Sequence, residues 1–398
     1  SIRLNYLSYY LCSDLQIPMA TPCYQNRNRI AYSLNNYVKG AFFFRMLNHV
    51  VGEDNFKKIL QTLYQKYKFQ HINEQRLYQI VQEFSESDLN WFFTQWLHGT
   101  IDVDYALNSI LKKQQEDGSW KARVKLERHG KGVMPFDVKL ITKNGDKLKK
   151  RCDGKNQHSE LVFHSSDEPL DAIVDPDDLI LDVNRLNNSH LKFKFILYPD
   201  YPNLYYQPRD HYLISGWPQA WYNDVDKLKI GARFFSGYLN RLYLTKTYLW
   251  YSFGSRQVDF DIKFTHPLGF FRKHLWYNLQ AQKLEGRFVA DANLYWIKRY
   301  YLFNPPVHKI RLGFKSYQLL EPDYVQYSTN GAEYLLWENA KINKLYFELN
   351  SDYKNEADDF NVDLNIQYSD QVFGSERNFL KVTITNRNHL YFISPELS

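Results

Sequence analysis

The chain has few of the features that identify a binding or catalytic site at first sight. Its 398 residues include three cysteines, Cys12, Cys23 and Cys152, which are too few and too scattered for a disulfide framework or a zinc knuckle. A single Cys12–Cys23 disulfide is the alternative that this count allows. It has no Gly-x-Ser-x-Gly elbow, no glycine-rich phosphate loop and no Cys-x-x-Cys pair. These absences argue against the common serine-hydrolase, nucleotide-binding and thiol-redox classes.

Long apolar runs and clustered basic charge are also absent. No stretch approaches the roughly 18 apolar residues of a membrane helix, so any insertion into a membrane must be by strands. The net charge is +6, from 50 Lys and Arg against 44 Asp and Glu, and it is spread along the chain. Nucleic acid is therefore not an expected partner, because its binding needs a clustered basic face. The start SIRLNYLSYY lacks the pattern of a signal peptide and begins without Met, which suggests an excerpt of a longer protein.

Residues 1–99 are predicted to form a helical unit, the first of two or three domains expected at this length. Apolar residues with helical spacing indicate four helices after Ala31, the second following Gly52 and the fourth ending at Gly99. Asn73 is a plausible N-cap of the third. The apolar face of the second helix is predicted to contain Phe56, Ile59, Leu60, Leu63 and Tyr67.

Residues 100–190 change to the alternation of short strands, in which Val124, Leu126 and then Val138, Leu140 and Thr142 alternate mostly with charged residues. Asn144-Gly145 is a strong hairpin signal between two of these strands. A small β-sandwich fits this pattern best. Three acidic residues at its end, Asp175, Asp177 and Asp178, are read as turn residues in preference to a calcium site.

Residues 191–398 show long and strict alternation together with most of an unusual aromatic content, 32 Tyr, 27 Phe and 9 Trp in the whole chain. The run VDFDIKF, for example, puts Val258, Phe260, Ile262 and Phe264 on one face. Such runs approach the roughly 9 to 11 residues of a tilted membrane-spanning strand. Aromatic residues at run ends, Tyr248, Trp250, Tyr251, Tyr295 and Trp296, are placed where interfacial residues would lie.

The favoured interpretation of residues 191–398 is an antiparallel β-barrel in a bacterial outer membrane, with membrane lipid as a partner. A soluble antiparallel sheet with one buried face has the same period and remains the alternative. The end ISPELS lacks the terminal aromatic residue typical of outer-membrane assembly signals, so either the C-terminus is truncated too or the barrel interpretation is wrong.

The segment AYSLNNYVKGAFFFRMLNHVVGEDNFKKIL, followed by DLNWFFTQWLHGT, resembles the alanyl-aminopeptidase family of zinc metallopeptidases, the gluzincin aminopeptidases. The similar part of that family lies downstream of the zinc site, and the resemblance extends through the sandwich to about Asn188. It implies a multidomain α+β chain, in which the helical end of a catalytic domain precedes the β-sandwich and the barrel. It also implies peptide substrates.

The resemblance assigns roles to two tyrosines. Tyr37 falls in the family's Tyr-x-Lys-Gly segment, where its hydroxyl would donate a hydrogen bond to the oxyanion formed when zinc-bound water attacks the scissile carbonyl. A phenol has a pKa of about 10 and so stays protonated at neutral pH. Tyr32 falls where the family often has a second tyrosine near the substrate. Lys39 and Gly40 are read as structural, Gly40 allowing a close approach of a neighbouring element.

Zinc is the cofactor that the resemblance implies, yet none of the 12 histidines forms the H-E-x-x-H pattern that such a peptidase needs. His158 and His164 are six apart in a strand-like segment and are read as surface residues. The zinc ligands are therefore expected upstream of this chain, which by itself should be inactive. The leading interpretation is the C-terminal part of a membrane-tethered zinc aminopeptidase facing the periplasm or the cell surface. The alternative is a non-catalytic outer-membrane binding or transport protein with a degenerate peptidase-like region.

Overall fold

A computed structural model describes residues 16–26, 29–100, 102–190, 194–198, 208–239, 242–268, 274–299, 307–321, 340–354 and 358–390. Helices occupy the first part of these residues, and β-strands follow from Tyr105 onward. The predicted change from helical to strand structure near residue 100 is therefore confirmed. Among the described helices none is long and apolar enough to span a bilayer.

Four consecutive helical segments, numbered here α1 to α4, form the first unit. Helix α1 comprises an α-helical turn Arg29–Tyr32, a π-helical stretch Ser33–Val38 and an α-helical segment Lys39–Val51; α2 is Glu53–Tyr67, α3 is Glu74–Glu83, and α4 is Asn90–Phe93 with a π-helical continuation Thr94–His98. Asn73 caps α3 as predicted, because its side-chain oxygen accepts a hydrogen bond from the Arg76 amide at 3.0 Å.

The helical core is aromatic. The ring of Phe43 in α1 lies 5.1 Å from that of Phe92 and 5.5 Å from that of Phe93 in α4, and Ile59 of α2 is fully buried. Such edge-to-face and tilted ring pairs add to the stability gained from burial alone. The prediction for Leu60 is wrong, because 41% of that residue is exposed. In α2 the buried stripe is too narrow to include the residue next to Ile59.

Two three-stranded antiparallel sheets form the β-sandwich. The strands are β1 Tyr105–Gln114, β2 Trp120–Arg128, β3 Phe136–Thr142, β4 Lys147–Cys152, β5 His158–Ser165 and β6 Pro169–Val174, ordered β1-β2-β5 and β4-β3-β6. Val138, Leu140 and Thr142 are buried on β3, as the alternation predicts. The Asn144-Gly145 hairpin joins β3 to β4, and Gly145 has a φ of 90°, which favours glycine.

Specific hydrogen bonds attach the helices to the sandwich. The side-chain amide of Gln95 in α4 both donates to the Val133 carbonyl at 3.0 Å and accepts from the Val133 amide at 2.7 Å. The His49 ring lies 2.9 Å from the Pro135 carbonyl oxygen, and Arg151 donates to the His49 carbonyl at 2.9 Å. The bonds of Gln95 and His49 are partly buried, and together with the exposed Arg151 bond they connect the helical unit to the sandwich.

Eleven strands in the described residues form one large sheet. They are β7 Phe195–Tyr198, β8 Tyr212–Asn223, β9 Lys227–Tyr238, β10 Leu242–Ser252, β11 Val258–Pro267, β12 Leu275–Leu284, β13 Arg287–Arg299, β14 Val307–Leu319, β15 Lys341–Lys354, β16 Asp358–Ser369 and β17 Phe379–Leu390. They are ordered by sequence from β7 to β17. Strands β8 to β17 pair antiparallel with their sequence neighbours, as predicted.

Closure of this sheet into a barrel is not seen in the described residues, where β7 and β17 each pair with a single neighbour. The prediction of a wholly antiparallel arrangement is also wrong at one edge. The short strand β7 runs parallel to β8, with Phe195 opposite Tyr212. A parallel neighbour needs a crossover connection of about a dozen residues or more, and 13 residues lie between Tyr198 and Tyr212.

The two faces of the large sheet have opposite chemistry. The apolar face carries exposed large side chains on successive strands: Phe234, Leu249, Phe264, Leu279, Leu294, Leu312, Leu345, Tyr368 and Ile384. The polar face carries charged and amide groups, among them the buried Lys229. Its ammonium group forms ion pairs with two buried carboxylates, Asp226 and Asp259. The strict alternation predicted for VDFDIKF is thus present, with Val258 and Phe264 exposed on the apolar face.

Three of the five run-end aromatic residues lie on the polar face, contrary to prediction. Tyr248 pairs with Asp261 and Trp250 with Asp259 across β10 and β11, and Tyr295 pairs with Arg311 across β13 and β14. Neighbouring positions along a strand point to opposite faces, so Tyr251 and Trp296 lie on the apolar face. The guanidinium of Arg233 stands 5.5 Å from the Tyr248 ring centre, which explains an aromatic residue among charges.

Candidate active site around Tyr37

The π-helical stretch of α1 determines how Tyr32 and Tyr37 are placed. Residues five apart on an α-helix point about 140° away from each other, at 100° per residue. In a π-helix the backbone bonds connect residues five apart, as shown here by the Lys39 amide, which donates to the Leu34 carbonyl. Tyr32 directly precedes the π-helical stretch Ser33–Val38, and Tyr37 lies within it. The two tyrosines are therefore brought to one side of the helix.

The two phenols contact each other directly. Their hydroxyl oxygens are 3.5 Å apart, and their rings meet edge to face with centres 5.6 Å apart. The side chain of Tyr37 is 65% exposed, whereas Tyr32 is partly covered. The hydrogen bond with Tyr37 raises the pKa of the Tyr32 hydroxyl, so this phenol stays protonated at neutral pH. The structure thus brings together the two tyrosines that the sequence selects.

Lys39 fixes the end of the π-helical stretch. Its side chain is only 3% exposed, and its ammonium group donates to the Gly99 carbonyl at 2.9 Å and to the Ile17 carbonyl at 3.4 Å. Burial lowers the pKa of this ammonium to about 8. Gly99 follows α4, where the unpaired carbonyls of a helix end attract a cation. Lys39 therefore connects α1, the end of α4 and the segment before α1, which agrees with its structural interpretation.

The connecting role of Lys39 could have been found from its spacing. Asn35, Lys39, Phe42 and Met46 recur at intervals of three or four residues, and all four are buried. A lysine on a buried helical face needs acceptors inside the protein. Gly40, in contrast, does not need to be glycine for close approach, because an added Cβ would meet only the Met19 sulfur at 4.0 Å. That prediction is wrong, since α1 leaves ordinary van der Waals space there.

The described residues offer no cluster that could hold zinc. They contain no group of three or more His, Cys, Asp or Glu side chains with metal-binding geometry. The His98 ring is 2.9 Å from a Glu74 carboxylate oxygen, an exposed pair without a third ligand beside it among these residues. His158 and His164 are both exposed on β5, as predicted. The His, Cys, Asp and Glu side chains of the described residues therefore do not fit a catalytic zinc ion.

The acidic residues after β6 are structural. Asp175 accepts the amides of Leu179 and Ile180 at 2.9 and 3.3 Å and forms an ion pair with Arg185 at 2.8 Å. Asp178 is paired with Arg209, and Asp177 accepts from Lys149 at 2.9 Å. Their carboxylates are already occupied by turn amides and basic side chains. The interpretation as turn residues therefore holds over the calcium alternative.

A buried pair of carboxyl groups was not found from the sequence. Asp104 and Asp182 are almost fully buried where the sandwich meets the large sheet, and burial raises the pKa of each to about 7. Asn187 donates to Asp104 at 2.8 Å, and Asn188 donates to Asp182 at 3.1 Å. Nothing in the spacing of these residues along the chain indicates that they meet, because the contact depends on how the strands fold back.

Comparison with known proteins places one part of the chain. No curated protein matches it. Among solved structures, the crystal structure of Legionella pneumophila aminopeptidase A in complex with aspartic acid is 14% identical, with a TM-score of 0.30. That match covers 39% of this chain and 18% of that chain, and at this TM-score it supports no conclusion. Residues 17–96, which include α1 to most of α4 and both tyrosines, match the model of the Peptidase family M1 domain.

Proposed function

We propose that this chain is the C-terminal portion of a membrane-tethered zinc aminopeptidase, in which Tyr37 stabilises the transition state of peptide hydrolysis. The observation that carries the proposal is the exposed Tyr37 phenol at the end of a π-helical stretch, inside the residues that match the Peptidase family M1 domain. Localised π-helical turns often occur at functional sites. The substrates in this proposal are peptides, cleaved at their N-terminal bond.

Tyr37 acts as a hydrogen-bond donor. Negative charge develops on the carbonyl oxygen of the scissile bond as the bond is attacked, and a neutral phenol can donate to that oxygen. Tyr37 contacts Tyr32 at 3.5 Å and is still 65% exposed, which leaves the side chain open to a substrate. Tyr32 is assigned to the substrate side of the same site. Removing one donor of this kind reduces turnover about 100- to 1,000-fold.

The metal that this chemistry needs is supplied, in this proposal, by residues outside the present sequence. The described residues hold no suitable ligand cluster, and the sequence has no H-E-x-x-H. Zinc would provide the Lewis acid and activate the attacking water. The contribution of this chain is the phenol, together with the anchoring of its helix through the buried Lys39. The chain alone is then inactive.

Hydrolysis of aminoacyl-nitroanilides by the longer protein tests this role. Tyr37→Phe is compared with Tyr64→Phe, which changes another exposed tyrosine of the helical unit. We expect chelator-sensitive activity whose kcat falls about 100- to 1,000-fold in Tyr37→Phe, with KM little changed and Tyr64→Phe unaffected. Equal activity in both variants would remove Tyr37 from the site. Absence of any activity would favour the non-catalytic binding or transport alternative.

The large sheet is proposed to hold the protein in a bacterial outer membrane as a closed barrel. Its apolar face exposes large side chains on successive strands, while charged groups lie on the opposite face. A soluble protein normally buries its apolar face and exposes the polar one. The inverted arrangement is the one expected where lipid covers the apolar side. The helical unit and the sandwich would then lie in the periplasm or at the cell surface.

Gel migration tests this tether. A closed membrane barrel migrates differently before and after boiling and needs detergent to stay dispersed, whereas a soluble sheet does neither. We expect heat-dependent migration and detergent dependence for the intact chain. Monodisperse protein in buffer without detergent would instead support the soluble-sheet alternative, and it would leave the role of Tyr37 untouched.

A further inference from the structure

A row of side chains crosses the polar face of the large sheet at one level. Following the register from β10 to β15, the directly paired residues are Lys246, Lys263, Gln280, Asp291, Lys315 and Lys344. We call this set the lysine row. All six positions are on the same face, because directly opposite residues of antiparallel strands point to the same side.

The lysine row contains two like-charge pairs. Lys246 lies directly opposite Lys263 on β10 and β11, and Lys315 lies directly opposite Lys344 on β14 and β15. Side chains in such positions have Cβ atoms about 5 Å apart, and like charges there destabilise a sheet. Two such pairs at one level are therefore an unfavourable arrangement in the absence of a bound counter-charge.

The carboxylates in the described residues offset only part of the positive charge of the lysine row. Its one acidic member, Asp291, accepts hydrogen bonds from the Tyr346 hydroxyl at 2.7 Å and the Asn293 amide at 2.9 Å, and its nearest approach to Lys315 is 3.8 Å. Lys344 donates to the neutral Gln367 amide oxygen at 2.7 Å. The row thus has four ammonium groups against the one carboxylate of Asp291.

At the neighbouring levels of the polar face, Glu348 is already paired with Arg311 at 3.0 Å, and the Asp261 carboxylate offsets only part of the remaining positive charge. Asp261, one level away, accepts from Gln280 at 3.0 Å. Arg233, beside it, stacks on Trp217 at 4.3 Å, and Lys315 and Lys344 both stand over the Tyr317 ring at 4.8 and 5.0 Å. Aromatic faces stabilise the cations without removing their positive charge. Each lysine pair keeps donors available for an anion.

We propose that the lysine row is a binding site for small multivalent oxyanions of the carboxylate or phosphate class. Neighbouring strands are about 4.8 Å apart, so the two ammonium groups of each pair can bracket one oxyanion. Three strand spacings, roughly 14 Å, separate Lys263 from Lys315, so the row provides two separate subsites. Charge-assisted hydrogen bonds from two lysines to one oxyanion are stronger than neutral ones.

Calorimetric titration of the purified full chain at low ionic strength tests the site. The probes are inorganic pyrophosphate and citrate, which separate the phosphate source of the chemistry from the carboxylate source. Lys263→Gln and Lys344→Gln each remove one member of a different pair. The matched control is Lys341→Gln, an exposed lysine at the start of the same strand as Lys344.

We expect at least one probe to bind, with the Kd raised at least tenfold in the double variant Lys263→Gln/Lys344→Gln and unchanged in Lys341→Gln. Binding should weaken as salt is added, because counter-ions compete for the ammonium groups. No binding of either probe at low salt, or equal binding by the double variant and the control, would overturn the proposal.

Thermal unfolding gives a second readout of the site. The probe should raise the unfolding midpoint of the wild type, since a ligand of the folded state stabilises it. The double variant without probe should itself unfold at a higher temperature than wild type, because the like-charge contacts are removed. A double variant less stable than wild type, and stabilised by the probe to the same extent, would contradict the site.

Discussion

Leu312→Arg distinguishes a lipid-facing sheet from a water-facing one. Leu312 lies near the middle of β14 on the apolar face, opposite Leu294 of β13 and Phe347 of β15, and it is 59% exposed. If that face meets water, a substitution to Arg at such an exposed position should change stability by no more than about 0.5 kcal/mol. If it meets lipid near the bilayer midplane, the same change should destabilise the fold by roughly 2 to 4 kcal/mol.

The sandwich provides a matched control. Leu170 on β6 is also 59% exposed, and it lies outside the large sheet. Leu170→Arg should therefore leave folding almost unchanged in either case. The destabilisation expected for Leu312→Arg corresponds to a roughly 30- to 1,000-fold lower folding equilibrium constant, since about 1.4 kcal/mol is tenfold. The comparison cancels any general effect of adding one positive charge.

Folding into phospholipid vesicles across a urea series measures the difference, with the folded fraction read from gel migration without boiling. We expect the Leu312→Arg transition at clearly lower urea than the transitions of Leu170→Arg and wild type. Coincident transitions for all three proteins would refute the assignment of the apolar face to lipid. Transfer of the same variants to detergent-free buffer should leave only misfolded or aggregated protein.

Three further outcomes are expected. Burial raises the pKa of Asp104 and Asp182 to about 7, above the roughly 4 of an unfolded Asp, so the stability that they contribute is full below about pH 4 and is lost as pH rises through 7. Asp104→Asn can keep the bond with Asn187 and should remove part of this loss, up to about 4 kcal/mol. Amide exchange of β1 measures the change, with Glu116→Gln as the control. Burial lowers the pKa of Lys39 to about 8, below its unfolded value near 10.5, so its contribution to stability is present above about pH 10.5 and is lost as pH falls through 8. Native-state proteolysis should show α1 becoming more stable, by up to about 3 kcal/mol, as the pH is raised from about 8 to about 10.5. An unchanged slope in Lys39→Met would contradict this. Tyr32→Phe removes one neutral hydrogen bond to Tyr37 and should lower kcat of the longer protein only about 2- to 10-fold; a loss as large as that of Tyr37→Phe would make Tyr32 a catalytic donor itself.

Periodicity was sufficient to predict the elements whose buried faces are regular. The four helices, the Asn73 cap, the Asn144-Gly145 hairpin and the alternation of β11 all depend on neighbours close in sequence. Leu60 was misassigned because a helical pattern does not state how wide the covered stripe is. The parallel pairing of β7 depends on a crossover, which leaves no periodic signal.

The sequence predicted which residues form the candidate site, but not how they contact each other. Tyr32 and Tyr37 were selected by a resemblance, and no sequence pattern distinguishes a π-helical stretch from an α-helical one over six residues. Their contact therefore could not be predicted, since an α-helix would separate them. The same limit applies to Asp104 and Asp182, which are 78 positions apart and meet through the tertiary fold.

The two halves of the described chain are stabilised by opposite arrangements of the same residue types. In the helical unit and the sandwich, Phe43, Phe92 and Val138 are inside, and the charged residues mostly face water. In the large sheet, Lys229 and Asp259 are buried while Leu312 is exposed. Transfer of apolar surface from water stabilises the first arrangement and not the second. The proposed contact with lipid would account for the arrangement of the large sheet, and the helical unit that carries Tyr37 needs no such contact.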